Sequence, residues 1–333
     1  MSNNELFLEA GRKFLLRILP AAALLLASAA IEAQSYPAKP IRLHVTCPAA
    51  CLPDLLARAI GQSLQESWGQ PIVVDNRAGA NGNISMEACA KSPGDGYSIC
   101  LPAGVLMSIN PFAYDKLPFD PLELVPIILL GNLDQAIAVH ASVPARTMKE
   151  LLALARAKPG SVTWGSLGVG STAHLYLEWM RVKTGADMLH VPYKGSPQAM
   201  QAITVGEVNA LALTPGVFAP QAAAGKLRVI AVVTGSKRLA SMPDVPTLSE
   251  QGFDLDFRNW MSFYGPKGTP PEVVRKWNAD VNKLLANKSF TDKHFLPLSV
   301  TPAGGTPEDM AALARSSRTQ GEELVRISKL KFE

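Results

Sequence analysis

The chain has 333 residues, 47% of them apolar and 18% charged, with 32 basic and 28 acidic side chains and a formal net charge of +4. This length is sufficient for two domains with separate cores, and the composition is that of a globular protein. No run of basic residues exceeds two, so the sequence gives no support for nucleic-acid binding.

Residues 1–33 are predicted to be a signal peptide. A positively charged region, residues 12–17, precedes the apolar run Ile18–Ala30, and small residues allow cleavage after Ala30 or Ala33. The apolar run is short for a membrane span, although a retained signal anchor is the alternative. We therefore expect export through a cleavable signal peptide, and a periplasmic location.

All four cysteines follow this segment, at Cys47, Cys51, Cys89 and Cys100. An even number in an oxidising compartment suggests disulfides, with three connectivities open in principle. We favour Cys89–Cys100, which would tie a helix to the next strand. The i, i+4 spacing of Cys47 and Cys51 differs from a redox Cys-x-x-Cys pair and lacks further metal ligands, so structural bridging or buried thiols are preferred there.

The first part of the mature chain alternates strands and helices, a pattern that predicts a parallel sheet. Ligands of such sheets bind where loops follow the carboxyl ends of strands and meet helix N-termini. The predicted elements are strand Ile41–Val45, helix Leu55–Ser67, strand Pro71–Asp75, a helix opened by Gly79–Asn83, and a strand that ends at Leu101.

The middle of the chain repeats this alternation after a proline-rich surface connection, Pro102–Val125. Its predicted strands are Val125–Leu130, Gln135–His140, Val162–Gly165, Met188–Tyr193, Asn209–Leu213 and Leu227–Val233. Its predicted helices are Thr147–Ala157, Ala173–Lys183 and Ser196–Ile203.

The last part of the chain is predicted to return to the first lobe. It contains a strand at Trp260–Pro266, amphipathic helices at Pro271–Ala286 and Pro307–Ile327, and a strand-like segment Ser299–Pro302 between them. The expected organisation is therefore an α/β protein, with lobe 1 at residues 34–136 and 257–333 and lobe 2 at residues 137–256.

Several short motifs in a fixed order resemble the solute-binding receptors of tripartite tricarboxylate transporters, the Bug-type periplasmic family. The resemblance runs from Tyr36 to the C-terminus and rests on the order of the motifs, since each alone is weak. The motifs are Tyr36–Ile41, Asp75–Asn83, Asp95–Tyr97, Ile109–Pro111, His190–Gly195, Ala224–Arg228, Pro243–Thr247 and Pro302–Pro307.

This resemblance implies a type II-like periplasmic binding protein, whose two lobes are joined by two crossing strands and close on a ligand between them. The crossings are expected near Gln135–His140 and Asn259–Pro266. The expected ligand is a small organic acid, the expected partners are inner-membrane transporter subunits, and neither a cofactor nor a metal is expected. A monomer is expected, and an orphan sensor that signals to a membrane kinase is the alternative.

The resemblance also places a first ligand loop at Pro48–Asp54, where the family carries Pro-Ala-Gly-Gly-x-x-Asp. Backbone N–H groups of such a loop can hold a carboxylate at a helix N-terminus. Ala50 and Cys51 replace the two glycines, and their added Cβ atoms narrow the approach of a ligand to the backbone. Asp54 is expected to cap the helix, or alternatively to orient water.

A second ligand loop is expected at Ser166–His174, with hydroxyl donors and a glycine that allows close approach. Leu213 stands where many relatives carry Asp, which disfavours an amino-acid ligand and favours a more apolar one. Lys194 is either a partner for a distal carboxylate or a solvated lysine, and His174 either contacts the ligand or packs within its helix. The predicted ligand-binding residues are Pro48, Ala49, Ala50, Cys51, Asp54, Asn81, Ser166, Gly170, Ser171, Thr172, His174, Lys194, Gly195 and Thr214.

An enzyme is not expected. Ser171 and His174 lie three residues apart, but this spacing supplies neither a third partner nor an oxyanion hole. No Gly-x-Ser-x-Gly elbow occurs, the glycine-rich loop lacks the ending of a phosphate-binding loop, and the five histidines are not paired at metal-ligand spacing.

Overall fold

The computed structural model describes residues 36–233, 238–239, 241–253 and 259–332. The predicted signal peptide, residues 1–33, lies outside them. In the described part of the chain, no helix is both long enough and apolar enough to cross a membrane.

Eleven strands form two sheets within the described residues. In chain order they are β1 (Ile41–Val45), β2 (Ile72–Asn76), β3 (Ser98–Leu101), β4 (Val125–Leu133), β5 (Gln135–His140), β6 (Thr163–Ser166), β7 (Leu189–Pro192), β8 (Ala210–Leu213), β9 (Leu227–Val233), β10 (Trp260–Gly265) and β11 (Val300–Pro302).

Helices connect these strands and cover the sheets. They are α1 (Leu52–Trp68), α2 (Asn83–Ala90), α3 (Gly104–Ser108), α4 (Asn110–Ala113), α5 (Met148–Ala157), α6 (Thr172–Thr184), α7 (Ser196–Thr204), α8 (Pro215–Ala223), α9 (Pro271–Ala286), α10 (Lys288–His294) and α11 (Pro307–Ser328). Short 3₁₀ helices occur at Ala80–Gly82, Pro121–Glu123, Ser249–Gln251 and Leu296–Leu298.

The two sheets draw on different parts of the chain. The first has the order β11-β4-β10-β3-β1-β2 and combines the two ends of the chain, whereas the second has the order β7-β6-β8-β5-β9 and uses the middle. The chain passes between them at Asp134, the single residue between β4 and β5. Residues 254–258, between the last described residue beside the second sheet, Phe253, and Asn259 next to β10, lie outside the described part, so the predicted lobe boundaries remain predictions.

Strands β1, β2 and β3, which the alternation in the first part of the chain predicted to be parallel, are parallel, and the two sheets as a whole are mixed. Strand β10 is antiparallel to β3 and β4, β11 is antiparallel to β4, and β5 is antiparallel to β8 and β9. The physical reason lies in where these strands begin. Strand β5 starts immediately after the chain leaves the other sheet, so it runs away from the junction between the sheets, whereas its neighbours β8 and β9 run in the opposite direction.

The two sheets have different main hydrophobic clusters, and that of the second sheet also includes Ile109, Ala113, Leu324 and Phe332 from outside the middle of the chain. In the cluster of the first sheet, helix α1 presents Leu56, Ile60 and Leu64 at helical spacing, all essentially inaccessible to solvent, against Ile41 and Leu43 of β1. Each such side chain contributes about 1.5–3 kcal/mol through burial. The helix ends where Gly69 adopts a left-handed conformation (φ 68°), as a C-terminal glycine allows.

Two disulfides are present among the described residues, Cys47–Cys51 and Cys89–Cys100. The second joins α2 to β3, and it is the pairing favoured from the sequence. The first closes the loop between β1 and α1.

Four helices differ from the prediction. Helices α3 and α4 lie in the segment expected to be irregular, and α8 and α10 were not expected. Helix α8 begins at Pro215 and contains Pro220, residues that argue against a helix when the sequence is considered alone. Proline is tolerated in the first turn, however, because the N–H that it lacks has no partner within the helix there.

Candidate functional site

A cleft of about 870 Å³ lies where loops of the two sheets face each other. The loops that line it follow the carboxyl ends of β1, β3, β6, β7 and β8, and residues next to the starts of β5, β10 and β11 complete it. Parallel strands deliver their loops to one edge of a sheet, which explains why segments distant in sequence meet here.

Several helix N-termini border this cleft, among them those of α1, α6, α7 and α8. The residues that cap α1, α6, α7 and α8 are Cys51, Ser171, Gly195 and Thr214, and all four line the cleft. None of the four caps makes a side-chain hydrogen bond to its own helix. First-turn N–H groups of α1, α6 and α7 therefore remain available, and together with the positive ends of the helix dipoles they favour an anion. In α8, by contrast, Pro215 has no N–H, and those of Gly216 and Val217 already bond to Ser299 and Thr214.

The first ligand loop is held in shape by Asp54. This carboxylate is buried and accepts hydrogen bonds from the Ala50 N–H (2.8 Å), the Arg58 Nε (3.0 Å) and the Asn76 Nδ2 (3.0 Å). Burial alone would raise the pKa of Asp54, but these hydrogen bonds hold the pKa below its ordinary value.

This geometry corrects the role expected for Asp54. The N-cap of α1 is Cys51, and Asp54 occupies the third helical position, from which it fixes the loop. Asp54 is not among the residues that line the cleft. Ala50 has a φ of 64°, so it adopts the left-handed conformation that a glycine at this position would adopt without strain.

The second ligand loop is held by two histidines, of which His174 is buried and His190 is half-buried. The Nδ1 of His174 accepts the N–H of Gly170 (3.1 Å), and the Nε2 of His190 lies 2.6 Å from the Ser166 hydroxyl. The two imidazole rings stack with their centroids 4.3 Å apart. Burial lowers the pKa of His174 to about 4, so its ring stays neutral at neutral pH and can accept this hydrogen bond.

Ser166 and His174 therefore lie behind the loop and are absent from the lining of the cleft. The Ser166 hydroxyl is fully buried and also bonds to Gly168, so it cannot reach a ligand without rearrangement. Of the two roles considered for His174 from the sequence, the structure favours packing within the protein.

Gly170 brings the two lobes into contact. Its φ of 81° favours glycine, and a Cβ atom there would lie 2.6 Å from the Asn81 Nδ2 and 2.7 Å from the Phe332 Cζ. Two hydrogen bonds also join the lobes near the cleft, from the Asn259 Nδ2 to the Thr172 Oγ1 (3.1 Å) and from the Gly216 N–H to Ser299.

Charge is scarce in the cleft. Among the described residues that line it, Lys194 is the one with a formal charge, and its side chain is exposed. No acidic residue belongs to this lining, so a ligand ammonium group would find no carboxylate partner there.

Apolar side chains cover much of the remaining lining, and they were not identified from the sequence. Leu55, Leu167 and Val217 are 43%, 37% and 38% exposed, and they come from α1, the loop after β6 and α8. Sequence alone could not separate these side chains from core residues, because both follow the same apolar spacing. Leu213, which was expected near the cleft, also lines it, and further lining residues outside the predicted set include Thr46, Leu52, Val105, Leu106, Gln135, Ala212, Asn259, Pro297 and Leu298.

The structure brings most of the predicted ligand residues together. Those that line the cleft are Pro48, Ala49, Ala50, Cys51, Asn81, Gly170, Ser171, Thr172, Lys194, Gly195 and Thr214. The other three, Asp54, Ser166 and His174, support the loops from behind. Within the described residues, no group of three or more histidine, cysteine or acidic side chains is arranged to hold a metal.

Known proteins match both the sequence and the fold. Protein BugT of Bordetella pertussis is 34% identical over 288 residues, covering 84% of this chain and 86% of BugT. A Pseudomonas sp. (strain P51) protein from the tcbD-tcbE intergenic region is 32% identical over 317 residues, with 93% of each chain covered.

Solved structures match with similar coverage. An R. palustris protein with adipate has a TM-score of 0.78 and 30% identity, and the alignment covers 89% of this chain and 99% of that one. The periplasmic binding protein BugD has a TM-score of 0.75 and 27% identity, covering 90% of this chain and 100% of BugD.

The model of the tripartite tricarboxylate transporter family receptor matches residues 56–326, which is most of the chain. This family consists of solute-binding receptors rather than enzymes, and its BugD member is a periplasmic binding protein. The chain belongs to the tripartite tricarboxylate transporter receptor family.

Proposed function

We propose that this protein captures a small organic acid in its cleft and presents it to an inner-membrane transporter of the tripartite tricarboxylate type. The observation that carries this proposal is the convergence on one cleft of three helix N-termini, those of α1, α6 and α7, that have available first-turn N–H groups. Such termini bind carboxylates without a formal positive charge. The adipate in the related R. palustris structure supports the same class of ligand.

The two lobes offer different donors to such an acid. The first contributes the loop that ends at Cys51, and the second contributes the starts of α6 and α7 together with the hydroxyl of Thr172. The Ser171 hydroxyl already donates to the Gly168 carbonyl (2.7 Å). A ligand that accepts hydrogen bonds from both lobes stabilises the closed arrangement over an open one, which is how hinge-type receptors respond to their ligands.

The body of the ligand is expected to be apolar. Leu55, Leu167 and Val217 leave more than a third of their surface exposed around the cleft, and Leu213 stands where an acid would favour an amino group. Burial of apolar surface contributes about 25 cal/mol per Å². We therefore expect an aliphatic or aromatic acid, and we expect Lys194, the charged residue of the described lining, to pair with a second, distal carboxylate where the ligand has one.

The proposed site of action is the periplasm. The basic and apolar N-terminal pattern of residues 1–33 supports export, and the disulfides Cys47–Cys51 and Cys89–Cys100 suit an oxidising compartment. The proposed partners are the membrane subunits of the transporter, and the proposed working form is a monomer.

The proposal is tested by a thermal-shift screen of the protein from Gln34 onward, followed by calorimetry. The acids are adipate, benzoate, citrate and glutamate, at equal pH and ionic strength. A ligand at 100 times its Kd adds about 2.7 kcal/mol of stability, which raises the melting temperature clearly. We expect adipate or benzoate to bind most tightly and glutamate to bind weakly.

The variant Lys194→Ala tests the expected role of Lys194 separately from the binding of the first carboxylate by the helix N-termini. We expect it to weaken adipate more than benzoate, because only adipate carries a distal carboxylate. Lys149→Ala is the matched control, since Lys149 is exposed on α5 and lies outside the cleft. No binding of any acid by folded protein would contradict the proposal, and tightest binding of glutamate would contradict the apolar ligand class.

A further inference from the structure

A second cavity, of about 200 Å³, lies apart from the cleft and shares no lining residue with it. We call it the α11 cavity, because one wall is the N-terminal half of α11. Its opposite walls are apolar and include Met107, Leu122 and Leu124, and Leu122 is 67% exposed beside it. The proposed transport function does not use this cavity.

Two arginines of α11 line the α11 cavity one helical turn apart, Arg315 and Arg318. Side chains at this spacing project from the same face of a helix. Within the described residues, neither guanidinium forms an ion pair with a carboxylate. The Arg318 group lies 4.8 Å from the centre of the Phe112 ring, and its Nη1 is buried with no hydrogen-bond partner among the described residues.

Tyr264 adds a third polar group to the α11 cavity. The residue is only 2% exposed, and its hydroxyl also lacks a hydrogen-bond partner among the described residues. Burial raises the pKa of Tyr264, which keeps the hydroxyl protonated and able to donate. Most buried polar groups in folded proteins have partners, so an unpartnered donor beside two unpaired cations suggests a missing acceptor.

The chemistry of these groups defines the kind of ligand. Two guanidinium groups and a phenol supply donors, the guanidinium fork matches the two oxygens of a carboxylate, and the walls are apolar. We propose that the α11 cavity is a second binding site, for a small carboxylic acid with an apolar body. Its carboxylate pairs with Arg315 and Arg318, and its apolar body lies against Met107 and Leu124.

Crystals soaked in 4-bromobenzoate test the position of this site, because the anomalous signal of bromine locates each bound molecule. We expect a bromine peak in the α11 cavity of the wild-type protein and none there in the Arg315→Gln/Arg318→Gln variant. No wild-type peak in the α11 cavity, or a peak that persists in the double variant, would overturn the proposal.

Calorimetry with benzoate tests the same site in solution. We expect the double variant to lose one class of sites, with affinity at the α11 cavity at least tenfold weaker. Arg326→Gln is the matched control, since Arg326 is exposed near the other end of the same helix and should leave both classes unchanged. Circular dichroism establishes that each variant is folded.

Inorganic phosphate provides the second arm of the experiment. We expect phosphate not to displace benzoate from the α11 cavity, because phosphate has no apolar surface to bury against the apolar walls. Displacement by phosphate at equal concentration would overturn the assignment to carboxylic acids. The two sites share no lining residue. A bromine peak in the α11 cavity would therefore support the second site even if no acid bound in the cleft.

Discussion

Replacement of Asp54 tests whether this residue holds the first ligand loop or contacts the ligand. Its carboxylate accepts from the Ala50 N–H (2.8 Å), from Arg58 through Nε (3.0 Å) and Nη2 (2.9 Å), and from Asn76 (3.0 Å). Removal of one partner of a buried ion pair costs about 3–5 kcal/mol. The cost is smaller here because Arg58 is half exposed, so its guanidinium can form hydrogen bonds to water once the carboxylate is gone. We therefore expect Asp54→Ala to lower the free energy of unfolding by about 2–4 kcal/mol.

The isosteric change Asp54→Asn should cost about half as much, since the amide keeps one oxygen as an acceptor but loses the charge. Urea unfolding followed by tryptophan fluorescence measures both free energies. Asp292→Ala is the control, because it removes an exposed i, i+4 ion pair with Lys288 and should change stability by less than about 0.5 kcal/mol.

The loop role of Asp54 predicts that stability and ligand affinity fall together, since the loop that presents Ala50 and Cys51 relaxes. An Asp54→Ala protein as stable as the wild type, with affinity alone reduced, would refute this reasoning. It would instead show that Asp54 acts on the ligand.

Three further predictions follow from the backbone and the buried histidines. Ala50→Gly should raise the free energy of unfolding by about 0.5–1 kcal/mol in urea melts. Glycine removes the strain of the left-handed conformation, and this gain exceeds the free-energy cost of the larger conformational entropy that glycine gives the unfolded chain. Gly170→Ala should lower it by about 2–3 kcal/mol, because the new Cβ meets Phe332 at a strained φ, and an unchanged melting temperature would contradict this. Burial lowers the pKa values of His44 and His174 to about 4, so the unfolded chain binds protons below pH 6.5 while the folded protein does not. Stability should therefore fall between about pH 6.5 and 4 by on the order of 2 kcal/mol per histidine, and His174→Gln should reduce this loss in urea melts at pH 7 and 4.5.

Much of the fold follows from local patterns in the sequence. Strands β1 and β5 have the predicted bounds, and α9 begins and ends where its amphipathic pattern does. The apolar spacing of these segments and their flanking turns determine them locally. The family and its two-sheet architecture were also predicted, because motifs spread over the whole chain support them.

The directions of several strands could not be predicted, because they depend on long-range connections. Strands β5, β10 and β11 run against their neighbours, and each begins beside residues that line the cleft. No short sequence pattern indicates at which end of the sheet the chain enters a strand, and that end determines the direction of the strand. The same limit applies to α8, where Pro215 falls at the first helical position, which tolerates proline, while Pro220 lies inside the helix.

The candidate site was predictable where backbone motifs form it, and less so where side chains support or cover it. The loops at Pro48–Cys51 and Ser171–Thr172 line the cleft as predicted. Ser166 and His174 belong to the same loop in sequence, but their burial behind it depends on the stacking of His190 from the next strand. A sequence motif alone cannot distinguish residues that contact a ligand from residues that hold the ligand-contacting loop in place.

The central claim is that uncapped helix N-termini in the cleft bind the carboxylate of a small organic acid. A crystal structure of the protein with the tightest-binding acid from the thermal-shift screen tests it most directly. The account predicts carboxylate oxygens within hydrogen-bond distance of first-turn N–H groups of α1, α6 or α7, with the apolar body against Leu55, Leu167 or Val217. An acid bound outside the cleft, or held there by Lys194 alone, would contradict the account.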